Sequence, residues 1–294
     1  MELIFLKITK AVIPAAGFGT RVLPASKVLP KEMLPLVDKP AIQYIIEEAA
    51  ASGITDILII TNRGKEIIEN HFDKNPDLER NLEKSGKSAM LNAVSLSSNL
   101  ANLYFIRQKE AKGLGHAISC AKTFVGNEPF AVLYGDDVIT GKVPVCKQLI
   151  DAFNEYNLCV VGAKQMPEEK IINYGSLKVE PIKENILKCT DMIEKPSKDK
   201  IMSLYSILGR CILTPDIFDI LSKTLPGHGG EIQLTDAMKV LAQRDGIIVV
   251  DFDGKRYDIG NKLGIMQANV EIALNHTEIG KDFKTYLKEL CKSL

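Results

Sequence analysis

Short apolar runs punctuate this chain and alternate with stretches of helical period, the pattern expected of strands buried on both faces with helices packed over them. Ala11-Val12-Ile13 is the first run, and it stops at Pro14, where the amide hydrogen a strand would use is missing. After Pro40, the positions Ile42, Ile45, Ile46 and Ala49 recur at helical spacing until Gly53, and Asp56-Ile57-Leu58-Ile59-Ile60-Thr61 reads as a second buried strand. Strand, loop, helix and strand make a βαβ unit. Its right-handed crossover sets the two strands parallel and places the loop after the first at a carboxyl edge of the sheet, where open α/β folds bind ligands. Residues 65–102 are polar and helical in tendency with a break at Asn75-Pro76, and read as a solvated excursion without a catalytic part.

Further strands are predicted at residues 103–107, 130–134, 158–163, 206–213 and 247–252, the last pairing with residues 254–260. Helices are predicted through Phe124, to Tyr156, from Thr214-Pro215-Asp216, and to about Gln243. Residues 171–213 carry shorter alternating runs and more charge, which suits an antiparallel insertion. Two amphipathic helices close the chain from Lys262 onward. The expected fold is α/β, with a Rossmann-like mixed and mainly parallel central sheet flanked by helices. A unit over residues 1–261 would carry the small antiparallel insertion, and 262–294 would be a helical extension.

The composition narrows the classes of function. Apolar residues make up 46% of the 294 and charged residues 25%, an ordinary soluble globular balance. Lys plus Arg and Asp plus Glu both total 37, so no global field draws nucleic acid or an anionic membrane, and any anion site must be local. No apolar run reaches the length of a membrane span, and residues 1–6 are too short for a signal peptide's apolar region, so a cytoplasmic protein is expected. The six cysteines are widely spaced without a C-x-x-C pair, which fits buried thiols in a reducing compartment.

Candidate chemistry collects between Lys10 and Pro40. Ala15, Ala16, Gly17 and Gly19 have so little side chain that the backbone can approach a ligand and offer amide N–H groups to phosphate oxygens. Arg21 and Lys31 add positive charge, while Pro24, Pro30, Pro35 and Pro40 disfavour a long helix between them and keep the segment a wrapping loop. The P-loop pattern is absent, and Val22 stands where a dinucleotide fingerprint needs its third glycine. A polyanion such as a nucleotide triphosphate is the ligand this set suits. Gln108 follows a strand and precedes Gly113 and Gly115, so either its amide meets the edge of a base or the glycines serve a plain strand-to-helix turn. Asp136 and Asp137 end another strand, as ligands for a hard cation such as Mg²⁺ or as a turn with an N-capping acid.

Gly17 to Arg21, G-x-G-T-R, followed by Pro30 to Pro40, P-K-E-M-L-P-L-V-D-K-P, resembles the signature of the sugar-1-phosphate nucleotidylyltransferase family, in its glucose-uridylyl branch. Tyr134-Gly135-Asp136 departs from that branch's Leu-Pro-Asp and keeps the Gly-Asp of the wider family. The resemblance implies that UTP and α-D-glucose 1-phosphate give UDP-glucose and pyrophosphate, with Mg²⁺ on Asp136 and Asp258 and Asp137 as a further neighbour. It implies that Arg21 and the amides from Gly17 to Thr20 hold phosphates, with Lys31 near the reacting one. Gln108 and Gly113 take the uracil, Gly175 and Glu194 the sugar, and Lys195 of Ile193-Glu194-Lys195-Pro196 the sugar phosphate. Glu231 either touches the glucosyl group or caps the helix that follows. A homo-oligomer, dimer or tetramer, is implied, and neither nucleic acid nor membrane is an expected partner. The alternatives are the same chemistry on dTTP or another sugar 1-phosphate, and a non-catalytic regulator that binds nucleotide sugar.

Overall fold

In the computed structural model, which describes residues 7–293, the strands are β1 Lys10–Pro14, β2 Pro35–Leu36, β3 Lys39–Pro40, β4 Asp56–Thr61, β5 Asn102–Arg107, β6 Phe130–Leu133, β7 Asp137–Thr140, β8 Val160–Gln165, β9 Gly175–Lys183, β10 Ile186–Glu194, β11 Tyr205–Leu213, β12 Ile247–Asp251 and β13 Lys255–Asp258. The short apolar start over residues 1–6, read above as no signal peptide, lies outside the described residues. A 9-stranded sheet runs in the order β5-β4-β1-β6-β11-β8-β12-β10-β9. β1 lies parallel to β4 and to β6, as the predicted crossover requires. Only β11 and β10 run against the common direction.

Continuous apolar runs form this sheet because both faces are covered. Ala11 and Ile13 of β1, with Ile57 and Ile59 of β4, join one core with the helices Ala41–Ala51 and Val145–Tyr156. Val12, Leu58 and Ile60 point the other way, into a second core built with the helices Leu114–Ser119, Ile217–Leu221 and Leu234–Arg244. Each such Ile or Leu contributes about 1.5–3 kcal/mol by leaving water.

One charged pair is built into the first core. Arg210 of β11, 1% exposed, donates from Nε and Nη2 to the Glu48 carboxylate at 3.0 and 2.6 Å. Its remaining donors reach the Gly209 and Asp137 carbonyls, and Glu48 Oε1 also accepts the Cys146 amide at 3.0 Å. Two helices and two strands are thereby tied together with their buried charge satisfied.

Three expectations change. Residues 247–252 and 255–258 are not a strand pair: β12, wholly apolar until Asp251, fits between β8 and β10, whereas the charged β13 pairs with β7 in a separate ladder that sets Asp258 opposite Asp137. The antiparallel strands of 171–213 do not form one separate insertion. β9 and β10 form the hairpin, but β11 is buried along nearly its whole length and sits in the middle of the large sheet. The excursion after Lys65 is helical, and Asn75 caps its second helix by accepting the Leu78 amide at 3.1 Å with Pro76 in the first turn, yet Lys65 itself belongs to the site. At the end of the chain the helix Lys262–Leu274 packs on β13, with Asn269 Oδ1 accepting the Val37 amide at 2.9 Å, and Gly280–Leu290 follows. No helix among the described residues is long and apolar enough to cross a membrane.

Candidate active site

The glycine loop leaves β1 at the carboxyl edge, between β4 and β6, and every carbonyl along its first part is held from behind. Lys65 Nζ, on the loop after β4, donates to the carbonyls of Ala15 and Gly17 and to Glu32 Oε2. Asn62 Nδ2 donates to the Ala16 carbonyl, and Ser26 Oγ to that of Gly19 at 2.7 Å. The amides of Ala16 to Thr20 meet no protein acceptor among the described residues, which leaves a run of donors available to an anion. Ala15 is the correction here: its N–H donates to the Ile60 carbonyl at 2.8 Å, which prolongs the sheet ladder, and it is not free for a ligand. Gly19 is in the left-handed region at φ 67, where a side chain would also press on Ser26 and Lys31.

Cations and acids meet in front of this loop. Lys31 Nζ lies 2.6 Å from Asp136 Oδ2, and Arg21 reaches within 3.9 Å of Asp136 and 3.8 Å of Asp258. A Cβ on Gly260 would come within 2.9 Å of both carboxylates and 2.5 Å of Arg21, so the three side chains surround one point that only glycine leaves open. Burial alone would raise the Asp136 carboxyl, but Lys31 and then Arg21 hold it below its ordinary value. Burial likewise works against the Lys31 charge, and Asp136 with Glu32 still carries its ammonium above the usual range. The Glu32–Lys65 pair behind the loop differs: burial wins at both ends, raising Glu32 and lowering Lys65.

Asp258 is set by its neighbours, accepting from the Gly260 amide at 2.9 Å and the Tyr174 hydroxyl at 3.1 Å, with Arg256 3.9 Å away. Asp137 faces elsewhere. Its carboxylate is bound by Arg256 Nε at 2.7 Å and packs beneath Gly209, and it does not line the cavity described next. Burial, with Asp136 and Asp258 adding to it against Arg256, pushes Asp137 up to about 6.

A cavity of about 520 Å³ joins these groups to others. Ala16, Gly17, Thr20, Arg21, Lys31 and Asp136 line it together with Gln108, Gly113, Glu194, Lys195 and Glu231. Ala15, Gly19, Gly175 and Asp258 stand just outside this lining. Gly113, at φ 101, has no room for a side chain, since a Cβ would meet Glu231 and the Ile232 carbonyl at 2.7 Å. Glu231 does not cap the following helix, whose N-cap is Gln233, and it remains free to face the cavity. Glu194 Oε2 accepts from Thr235 Oγ1 at 2.7 Å, close to where a Cβ on Gly175 would lie. Lys195 sits at φ 43 with its amide on the Tyr174 carbonyl, a strained backbone that turns the side chain from the end of β10 toward the cavity.

Sequence reasoning missed Lys65, Asn62, Glu32 and Arg256. Thr61-Asn62-Arg63-Gly64-Lys65 leaves the strand next to β1 at the same carboxyl edge, which was the available signal; Arg256 offered none, because its register against β7 was misread. No three His, Cys, Asp or Glu residues cluster as a closed metal cage among the described residues. Two carboxylates converging on an open point do fit a hard cation whose other ligands are phosphate oxygens and water.

A family model described as nucleotidyl transferase matches residues 10–275. A relative from Bacillus subtilis (strain 168), named UTP–glucose-1-phosphate uridylyltransferase, is 48% identical over 284 residues, 97% of each chain. The solved structure of a UTP-bound UGPase from Acinetobacter baumannii superposes with a TM-score of 0.89 at 35% identity, covering 97% of this chain and 100% of that one. A UDP-glucose pyrophosphorylase crystallised with UDP-glucose has a TM-score of 0.84 at 39% identity, over 92% of this chain and 100% of that one.

Proposed function

The chain belongs to the nucleotidyl transferase family, and from that premise we propose that it converts UTP and α-D-glucose 1-phosphate to UDP-glucose and pyrophosphate. The observation that carries this reading is the single cavity that brings the unpaired loop amides, Arg21 and Lys31 together with Gln108, Glu194 and Lys195. The first group suits a triphosphate, and the second suits a base and a phosphorylated sugar.

In the reaction, an oxygen of the sugar phosphate bonds to the α-phosphorus of UTP while the bond to the β-phosphate oxygen breaks and pyrophosphate departs. The obstacle is repulsion between two polyanions, so catalysis consists of alignment and neutralisation. Arg21 and the amides from Gly17 to Thr20 hold the β and γ phosphates. Lys31, fixed by Asp136, stands beside the α-phosphoryl group as its charge develops, and Lys195 orients the incoming phosphate. Gln108 and Gly113 receive the uracil, and Gly175, Glu194 and Glu231 the glucose end. The attacking phosphate is already mostly dianionic at pH 7, so no general base is required. Asp136 and Asp258 would hold Mg²⁺ together with the substrate phosphates, where the ion supplies Lewis-acid charge neutralisation. Residues 1–261 form the catalytic unit, and 262–294 extend it toward a partner subunit in a homo-oligomer. A cytoplasmic setting agrees with six free cysteines.

Product analysis tests the reading. Purified protein with Mg²⁺, glucose 1-phosphate and UTP, dTTP, CTP or ATP in turn should release pyrophosphate and UDP-glucose with UTP. Preferential use of dTTP would place the chain in another branch, and binding of UDP-glucose without turnover would make it a regulator.

A further inference from the structure

Arg21 and Lys31 suit the phosphates, so a nucleobase belongs at the part of the lining where Gln108, Gly113, Leu114 and Ala117 present no charge of their own, beside Glu231. Gln108 is 7% exposed, and both hydrogens of its amide are engaged. Nε2 donates to the Gly113 carbonyl at 3.1 Å and meets His116 Nδ1 at 2.9 Å. A main-chain carbonyl only accepts, so the NH₂ side must face Gly113, and His116 must then receive the second hydrogen on an unprotonated Nδ1. Oε1 has no protein partner among the described residues and is left as the one hydrogen-bonding atom that Gln108 offers to a ligand.

We propose that His116 is a positioning residue for base selection: with the Gly113 carbonyl it locks the Gln108 amide so that only an acceptor faces the cavity, which selects bases bearing an N–H at that edge. Uracil carries a hydrogen on N3, whereas cytosine carries a lone pair there, and an amide oxygen against that lone pair is repulsive. Turning the amide over to suit cytosine would set Oε1 against the Gly113 oxygen and would also oblige His116 to shift its ring hydrogen to Nδ1. Without His116 only one of those penalties remains. Discrimination of this kind is strong because a mismatched base leaves a buried polar group unpaired. The inference rests on the proposed use of UTP, and it concerns a residue that stands behind the cavity lining.

The test compares UTP and CTP in the full chain, as His116→Ala and as His116→Asn, whose Oδ1 falls at the place of Nδ1. Equilibrium dialysis with Mg²⁺ gives the ratio of Kd values, and turnover with glucose 1-phosphate gives KM and kcat. His116→Ala should narrow the preference for UTP over CTP by about tenfold or more, through a higher Kd and KM for UTP together with a lower Kd for CTP. The KM for glucose 1-phosphate should stay in place, and His116→Asn should restore most of the preference. Equal losses for UTP and CTP, leaving their ratio unchanged, would overturn the inference and leave His116 a packing residue. Failure of the parent protein to make UDP-glucose overturns the reaction reading alone, because the binding ratio still decides this one; failure to bind either nucleotide overturns both.

Discussion

Two charged clusters lie close together in this molecule, and they are finished to different degrees. Glu48 and Arg210 are bidentate, buried and given further partners by the Cys146 amide and the Gly209 and Asp137 carbonyls. A few residues away, Arg21 stands with 62% of its side chain exposed, at 3.8–3.9 Å from two carboxylates and hydrogen-bonded to neither. The first cluster is complete without a ligand and acts as scaffold. The second pairs Lys31 with Asp136 but leaves Arg21 short of both carboxylates and the loop amides without a protein acceptor among the described residues, so it has charge and donors to spare for an incoming anion.

Breaking each cluster should therefore damage a different property. Arg210→Met leaves the Glu48 carboxylate buried without its partner and should cost about 3–5 kcal/mol of folding free energy in urea titrations. Turnover per folded molecule should fall far less. Lys31→Ala should do the reverse, lowering kcat by about 10²–10³-fold, the usual consequence of removing one donor from developing charge. Its unfolding midpoint should move much less than that of Arg210→Met. If Arg210→Met proved the worse enzyme at full folding, or Lys31→Ala the less stable protein, the division into scaffold and site would be wrong.

How much of this division was legible beforehand differs between the two clusters. The site announced itself locally: Gly17, Gly19, Arg21 and Lys31 are consecutive enough that chain order alone put glycines, cations and a strand end together. Asp136 followed from an acid at the end of a buried run. The scaffold pair was invisible, because Glu48 lies on the buried side of an amphipathic helix and Arg210 in the middle of an apolar strand, 162 positions apart, and their meeting depends on β11 being central. The same sheet order decided the misread β13. Alternation locates a strand, but only the three-dimensional pairing reveals its neighbour, and that is why Asp258 needed the family resemblance while its partners Arg256 and Tyr174 were missed.

Lys65 sharpens the comparison because it belongs to both kinds of cluster. It is buried against Glu32 like a scaffold residue, yet Glu32 Oε1 has no partner among the described residues and two of the Lys65 contacts are carbonyls of the phosphate loop. Lys65→Met should raise the KM for UTP by about tenfold or more, since the loop amides lose the tethers that aim them, while the KM for glucose 1-phosphate changes little. Adding Glu32→Gln should recover stability by removing the stranded acid without recovering the UTP KM. Recovery of both would show that the pair serves only to hold the fold.

The smallest expected effect concerns the border between the two clusters, at Asp137, whose carbonyl belongs to the Arg210 network and whose carboxylate belongs to Arg256. Their contact keeps Arg256 more firmly charged, but Asp137 still ends up at about 6, because burial and the two neighbouring acids outweigh what Arg256 supplies. In the unfolded chain the same carboxyl has its ordinary value near 3.9. As pH rises between those two values the unfolded state releases its proton first and the folded state retains it, so stability declines with rising pH across that window. Asp136 does not confuse the measurement, since its lowered carboxyl contributes stability that is lost only as pH falls below the ordinary carboxylate range. Urea unfolding in metal-free buffer from pH 4.5 to 6.5 should therefore show the parent losing stability relative to Asp137→Asn as pH increases. The opposite slope would mean that Arg256 keeps Asp137 ionised throughout, and would move this residue from the border into the finished cluster.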